Sequence, residues 1–131
     1  MRRAHLVVGL ASFVAFLLTG QYMDRWLGHL EAMADLPRML YRSGHIYLLF
    51  TALLNVVLGL YMADAGNGSA RVLARAGSLL ILAAPVLLLI GFDREPSRTD
   101  YERPYARLAI YGSAAGVLGH LLAQRKSEVK S

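Results

Sequence analysis

The sequence predicts an all-α fold, an integral membrane four-helix bundle threaded up and down. Three observations carry that prediction. Four stretches contain no Asp, Glu, Lys or Arg: residues 4–23, 43–63, 76–92 and 108–124, each 17 to 21 residues long. A helix rising about 1.5 Å per residue needs roughly 17–25 residues to cross ~30 Å of hydrocarbon. The chain is 56% hydrophobic with a mean hydropathy of +0.41, and its apolar stretches lack the polar face that a soluble helix turns to water. One domain is expected from 131 residues, with helices over about 5–23, 44–63, 72–92 and 104–123.

Met1-Arg2-Arg3 followed by the apolar run Leu6–Leu18 has the form of a secretory signal. Leu18-Thr19-Gly20 fits a small-x-small cleavage site poorly, and no Cys is present for lipid attachment, so this segment is expected to stay as the first helix. In the first loop, Trp26, Leu27, Leu30, Met33 and Ala34 fall at helical spacing between Asp24 and Pro37. The pattern predicts a short amphipathic helix lying in the interface, capped by Asp24 and stopped by Pro37. In the last loop the capping-box pattern Thr99-Asp100-Tyr101-Glu102 competes with Pro104, which suits a first helical turn; the fourth helix is predicted to start at Pro104. A tandem hairpin repeat is suggested by two matches. Leu17-Leu18-Thr19-Gly20 running into Asp24-Arg25 resembles Leu88-Leu89-Ile90-Gly91 running into Asp93-Arg94, and Tyr41, Ile46 and Tyr47 recur 64 residues on as Tyr105, Ile110 and Tyr111.

Charge sets the expected orientation. Residues 1–4, 64–75 and 124–131 carry seven Lys or Arg against two acids, whereas residues 24–42 and 93–107 carry seven Arg against seven acids. The counts of basic residues tie. The first set is denser and includes the Arg pair before the first helix, which places both termini in the cytoplasm of an inner-membrane protein. The net charge of +5 flanks helices instead of forming a patch, which argues against nucleic acid. Without cysteine the chain has no disulfide, thiolate metal site, iron–sulfur cluster or thioether-linked haem.

Up–down threading brings the ends of the four helices together on the outer side. Tyr22, Arg42, His45, Glu95 and Arg103 then share one depth and form the candidate ligand site, with Arg supplying charge, His a switchable donor and Tyr a stacking face. The bland alternative is an aromatic belt with ordinary interfacial ion pairs. His45, Leu48, Ala52, Asn55 and Gly59 share a stripe of the second helix, and Asn55 near mid-helix is expected to face inward. His45 is expected to bond Tyr22, Glu95 or Arg103. Two pairs have the residue types for haem ligation: His5 with His120, both near the aqueous edge, and His45 with Met23. Met23, His29, Met33, Met39 and His45 together have the soft donors that suit Cu(I), but no metal site is assigned to them. Gly112-Ser-Ala-Ala-Gly116, extended by Gly119, is a small-residue seam for close helix packing, within one chain or between copies.

The size and four spans resemble the small multidrug transporters, whose first helix carries a membrane-embedded Glu; residues 4–23 contain none. Ser43-Gly44-His45 is similar to the Ser…His element of haem-binding respiratory anchor subunits, without that family's following Arg. No family is recognised on these residues. No nucleophile–base pair, phosphate loop or metal-ligand run is present, so an enzyme acting alone is not expected. The reading placed first is a non-catalytic membrane protein that binds a lipid-like or small ligand, or a partner membrane subunit, at its outer rim. Behind it stand a haem- or quinone-binding redox anchor, and a small-solute transporter or channel assembled as a homo-oligomer.

Overall fold

In the computed structural model, which describes residues 1–62, 68–98 and 101–128, the chain is helical and those residues contain no strand. The helices are α1 (Arg2–Arg25), α2 (Asp35–Tyr61), α3 (Ser69–Arg94) and α4 (Pro104–Glu128). All four are long and apolar enough to cross a membrane. Close contacts pair Gly9 with Ala52 and Val56, Gly77 with Gly116, and Asn55 with Ile81, so neighbours in sequence run antiparallel. The start of α1, the end of α2, the start of α3 and the end of α4 lie at one end, here called the terminal end; the opposite ends of the four helices lie at the far end. Packing is closest within α1–α2 and α3–α4, and the two hairpins meet mainly through α2 and α3.

Small residues line the seams and large ones face out. Gly9, Ser12, Ala52, Gly59, Ala74, Gly77, Ser113 and Gly116 are buried, while Val7, Leu10, Phe50, Leu53, Val72, Leu79, Leu118 and Leu121 are exposed. This inverts the soluble pattern. Where no hydrophobic drive holds helices together, close backbone approach and interhelical hydrogen bonds must do so. A Cβ on Gly116 would lie 2.6 Å from the Gly77 carbonyl oxygen, and one on Gly59 would lie 2.8 Å from the Leu6 backbone nitrogen. Gly119 faces Leu73 across the same α3–α4 seam, whereas a Cβ on Gly112 would meet nothing within 4 Å.

The helix limits differ from expectation most at α2, which starts at Asp35 and not near residue 44. Pro37 therefore sits in the first turn instead of ending a helix, at a place where a missing N–H breaks no bond. Asp35 in that turn pairs with Arg38 and complements the helix dipole. The short interfacial helix does not form. α1 continues to Arg25, so Asp24 lies in its last turn and caps nothing; it pairs with His29 Nδ1 at 2.7 Å. Gly28, His29 and Leu30 then turn the chain with φ of 54°, 58° and 64°. Gly28 takes that conformation without steric cost, and burial of Leu30 against α1 holds the two non-glycine residues in it. α4 starts at Pro104 as predicted. Thr99 and Asp100 of the rival cap lie outside the described residues. At the terminal end, the Arg2 guanidinium donates to the carbonyls of Gly59 and Leu60, capping α2 and tying its last turn to the start of α1.

Candidate functional site

The five residues expected at the far end do not converge on one point. They divide between two clusters and an exposed groove. Glu95 closes α3 and is 2% exposed. Its Oε1 accepts the Ala106 backbone N–H at 2.9 Å, and its Oε2 accepts Arg103 Nε–H at 3.2 Å. Ala106 lies in the first turn of α4, where backbone N–H groups have no helical partner, so the carboxylate caps that helix across the loop. Arg103 lies over the Tyr47 ring at 5.4 Å, which ties α2 into the node. The Arg103 Nη2 is buried and without a hydrogen-bond partner.

His45 belongs to the second cluster. Its Nδ1 lies 2.9 Å from Thr19 Oγ1, and its ring stacks on Phe16 at 4.1 Å. The expected partners Tyr22, Glu95 and Arg103 are not its partners. Gly20 is the reason: a Cβ there would sit 3.2 Å from His45 Cε1, so the missing side chain lets the imidazole lie against α1 beside Thr19. Because Thr19 donates to the Phe16 carbonyl, its oxygen accepts from His45 Nδ1–H. Tyr22 is 43% exposed and meets Phe92 edge-on at 6.3 Å, as Tyr41 does at 5.1 Å. These rings have the arrangement of an interfacial aromatic belt.

Arg42 is exposed and has no ion pair among the described residues. It borders a shallow groove of about 570 Å³ along the outer face of α2, with Asp35, Arg38, Met39, Ser43, Ile46 and Tyr47. Met39, Ile46 and Tyr47 give it an apolar floor, and Arg42 gives it a positive charge beside the Asp35–Arg38 ion pair. Tyr47 connects groove and node: one side faces the groove and the ring carries Arg103. Of the Met and His residues in the first loop, His29 is exposed and paired with Asp24, Met39 is exposed, and Met23 and Met33 are half-buried. Among the described residues no three His, Asp or Glu side chains gather as a metal cluster.

A polar layer near the terminal end joins all four helices. Asn55 is fully buried, as the shared stripe with Leu48, Ala52 and Gly59 implied. Its amide nitrogen donates to the carbonyls of Thr51 at 2.9 Å and Ile81 at 3.3 Å. Its Oδ1 lies 2.7 Å from His5 Nδ1. On the other hairpin, Ser78 Oγ lies 3.1 Å from His120 Nε2 and 3.8 Å from Met62 Sδ. His5 is 0% exposed and His120 8%, so both imidazoles turn into the bundle near this end. Helical spacing held the signal for this: His5, Gly9 and Ser12 form one stripe, and Ser113, Gly116, His120 and Ala123 another, each of small or polar residues. Comparison with family models, curated proteins and solved structures finds no match to this chain.

Proposed function

We propose that the chain is a multi-pass inner-membrane protein, with both termini cytoplasmic, that acts without catalysis by holding the anionic head of a lipid-like molecule at its outer rim. The observation that carries this reading is the groove on α2. The Arg42 charge, beside the Asp35–Arg38 pair, and the apolar floor match a molecule with a phosphate or carboxylate head and a hydrocarbon tail, and Met39 and Ile46 in that floor are exposed. The inverted packing supports membrane insertion, because so many exposed Leu, Val and Phe side chains would be costly in water. Two rival readings draw less from the geometry. A solute path along Asn55 would need free polar groups there, and both of its amide donors and its oxygen are engaged within the bundle. A haem held by His5 and His120 would have to sit beside the α3–α4 seam at the depth of His120, where the helices close to glycine–glycine contact, and one held by His45 and Met23 would have to displace Thr19 and Phe16 from His45.

Native mass spectrometry of the purified protein tests the lipid reading. Anionic phospholipid should be retained in preference to zwitterionic, and Arg42→Gln should weaken retention about 10-fold, as expected for one hydrogen bond to a charged group. Equal retention of both lipid classes, or no change in the variant, would remove the proposal. Orientation is tested separately by fusing reporters after Ser131. Green fluorescent protein should fluoresce there and alkaline phosphatase should be inactive; the reverse pattern would place the groove on the cytoplasmic side.

A further inference from the structure

Pro85 lies inside α3 and is buried. A proline brings no N–H to a helix, so the carbonyl four residues back, that of Ile81, has no helical donor. In a bilayer such a freed group must be met from a neighbouring helix. Asn55 of α2 meets it: its amide nitrogen donates to the Ile81 carbonyl at 3.3 Å and to the Thr51 carbonyl at 2.9 Å. With both N–H bonds spent on carbonyls, the atom that Asn55 turns to His5 is its oxygen, 2.7 Å from Nδ1. An amide oxygen only accepts, so His5 Nδ1 carries the hydrogen and the neutral ring holds a bare lone pair at Nε2. That nitrogen is buried and has no hydrogen-bond partner. His5 on α1 thus orients Asn55, and Asn55 holds α3.

The bond to Ile81 crosses between the two hairpins. The buried apolar cluster that joins them, Leu48 of α2 with Ala84, Leu88, Ala106 and Ala109 of α3 and α4, lies toward the far end. Its counterpart at the terminal end, Ala70, Ala74 and Ala123, belongs to α3 and α4. We propose that His5 and Asn55 form a proton-sensitive latch that closes the two hairpins on each other at the terminal end. A proton taken from water by Nε2 turns a buried neutral ring into a cation with a new N–H and nothing to receive it. The charges around it are of the same sign. The chain amine and Arg2 begin the same helix, Arg75 stands on α3 and His120 on α4, and α2 brings no Asp, Glu, Lys or Arg from Ser43 to Tyr61. Every acid whose side chain is described, from Asp24 to Glu102, lies at the far end or in its loops. His5 is in the first turn of α1, so the charged ring turns out to water at that end. Asn55 then loses the donor that oriented it, and the Ile81 carbonyl, which Pro85 cannot serve, must be met by water. Water enters between α2 and α3, and the hairpins part there while the far cluster acts as the pivot. The latch does not depend on what the groove on α2 holds.

Spin labels read the opening, and the chain has no cysteine of its own to interfere. One doubly labelled protein carries Val57→Cys and Val72→Cys toward the terminal end, another Phe50→Cys and Leu89→Cys toward the far end, all at exposed positions outside the latch. Electron paramagnetic resonance in lipid nanodiscs should show the terminal distance lengthening from about pH 8 to about pH 5, the interval in which histidine changes charge, with the far distance unchanged. His5→Asn, which keeps an N–H for Asn55 but takes no proton, should abolish the change. A constant terminal distance in the wild type, equal lengthening of both pairs, or a change that survives His5→Asn would overturn the latch. A second measurement needs no histidine variant. Pro85→Ala returns a helical donor to Ile81, so Asn55→Leu should shift the unfolding equilibrium about 10-fold less in that background than in the wild type, the weight of one buried carbonyl left unmet. Equal shifts would show that Asn55 does not secure the carbonyl that Pro85 frees, and would overturn the latch as well.

Discussion

Gly116→Leu is expected to separate α3 from α4, whereas Gly112→Leu is expected to leave the fold intact. The two glycines belong to one sequence motif but face different surroundings. At Gly116 a Cβ would lie 2.6 Å from the Gly77 carbonyl oxygen and 2.7 Å from Ile81 Cγ1. Ile81 could give way by changing rotamer. The Gly77 carbonyl cannot, because it is part of the α3 backbone. Even Gly116→Ala should therefore cost about 1–3 kcal/mol, the usual range for overpacking a close-packed site, and leucine more. At Gly112 a Cβ meets nothing within 4 Å, so alanine there should be neutral or gain up to about 1 kcal/mol from helix propensity. Unfolding in mixed detergent, followed by circular dichroism, reads both. Equal losses for the two leucine variants would show that the motif acts as a unit, for instance between copies of the chain, and that the α3–α4 seam is not what it secures.

Much of the architecture was legible because the physics behind it is local. A backbone in hydrocarbon must satisfy its own hydrogen bonds, so a long run without charge is a helix almost by necessity. The same criterion misplaced the start of α2. It stopped at Arg42, but helical bonding needs no apolar side chains and continues outward through Pro37 to Asp35. The loop helix was misread for a related reason. Trp26, Leu27, Leu30, Met33 and Ala34 do have helical spacing, but Gly28 within the pattern takes a positive φ and the chain turns there. The polar residues were harder, since their partners depend on the register between helices. The inward stripe of Asn55 could be read from α2 alone; that it meets His5 follows only once Gly9 and Gly59 set how α1 lies on α2. Thr19 was passed over as a hydroxyl in a leucine-rich helix. It became the partner of His45 because Gly20 beside it opens the surface.

Glu95→Ala is expected to destabilise the protein by about 4 kcal/mol, more than any substitution in the exposed groove. Two losses combine. The first is the cap on α4: the Ala106 N–H would have no acceptor at a buried helix start, and a lost cap typically costs about 1 kcal/mol. The second is the partner of Arg103. With side-chain exposures of 15% and 3%, the Arg103–Glu95 pair is shielded from water, and removing one member leaves an uncompensated charge, a change that commonly costs 3–5 kcal/mol. The lower end applies, because the node lies near a helix end and Arg103 keeps its contact with Tyr47. Glu95→Gln separates the terms: an amide oxygen can still accept from Ala106 but brings no charge to Arg103, so its loss should fall between wild type and alanine. The double variant Glu95→Gln with Arg103→Met should recover part of the loss of Glu95→Gln alone, since no buried charge is left behind. Chemical unfolding of all four proteins closes the cycle. If Arg103→Met lowers the stability of the wild type and of Glu95→Gln equally, the two side chains are not coupled. Glu95 would then act only as the cap of α4.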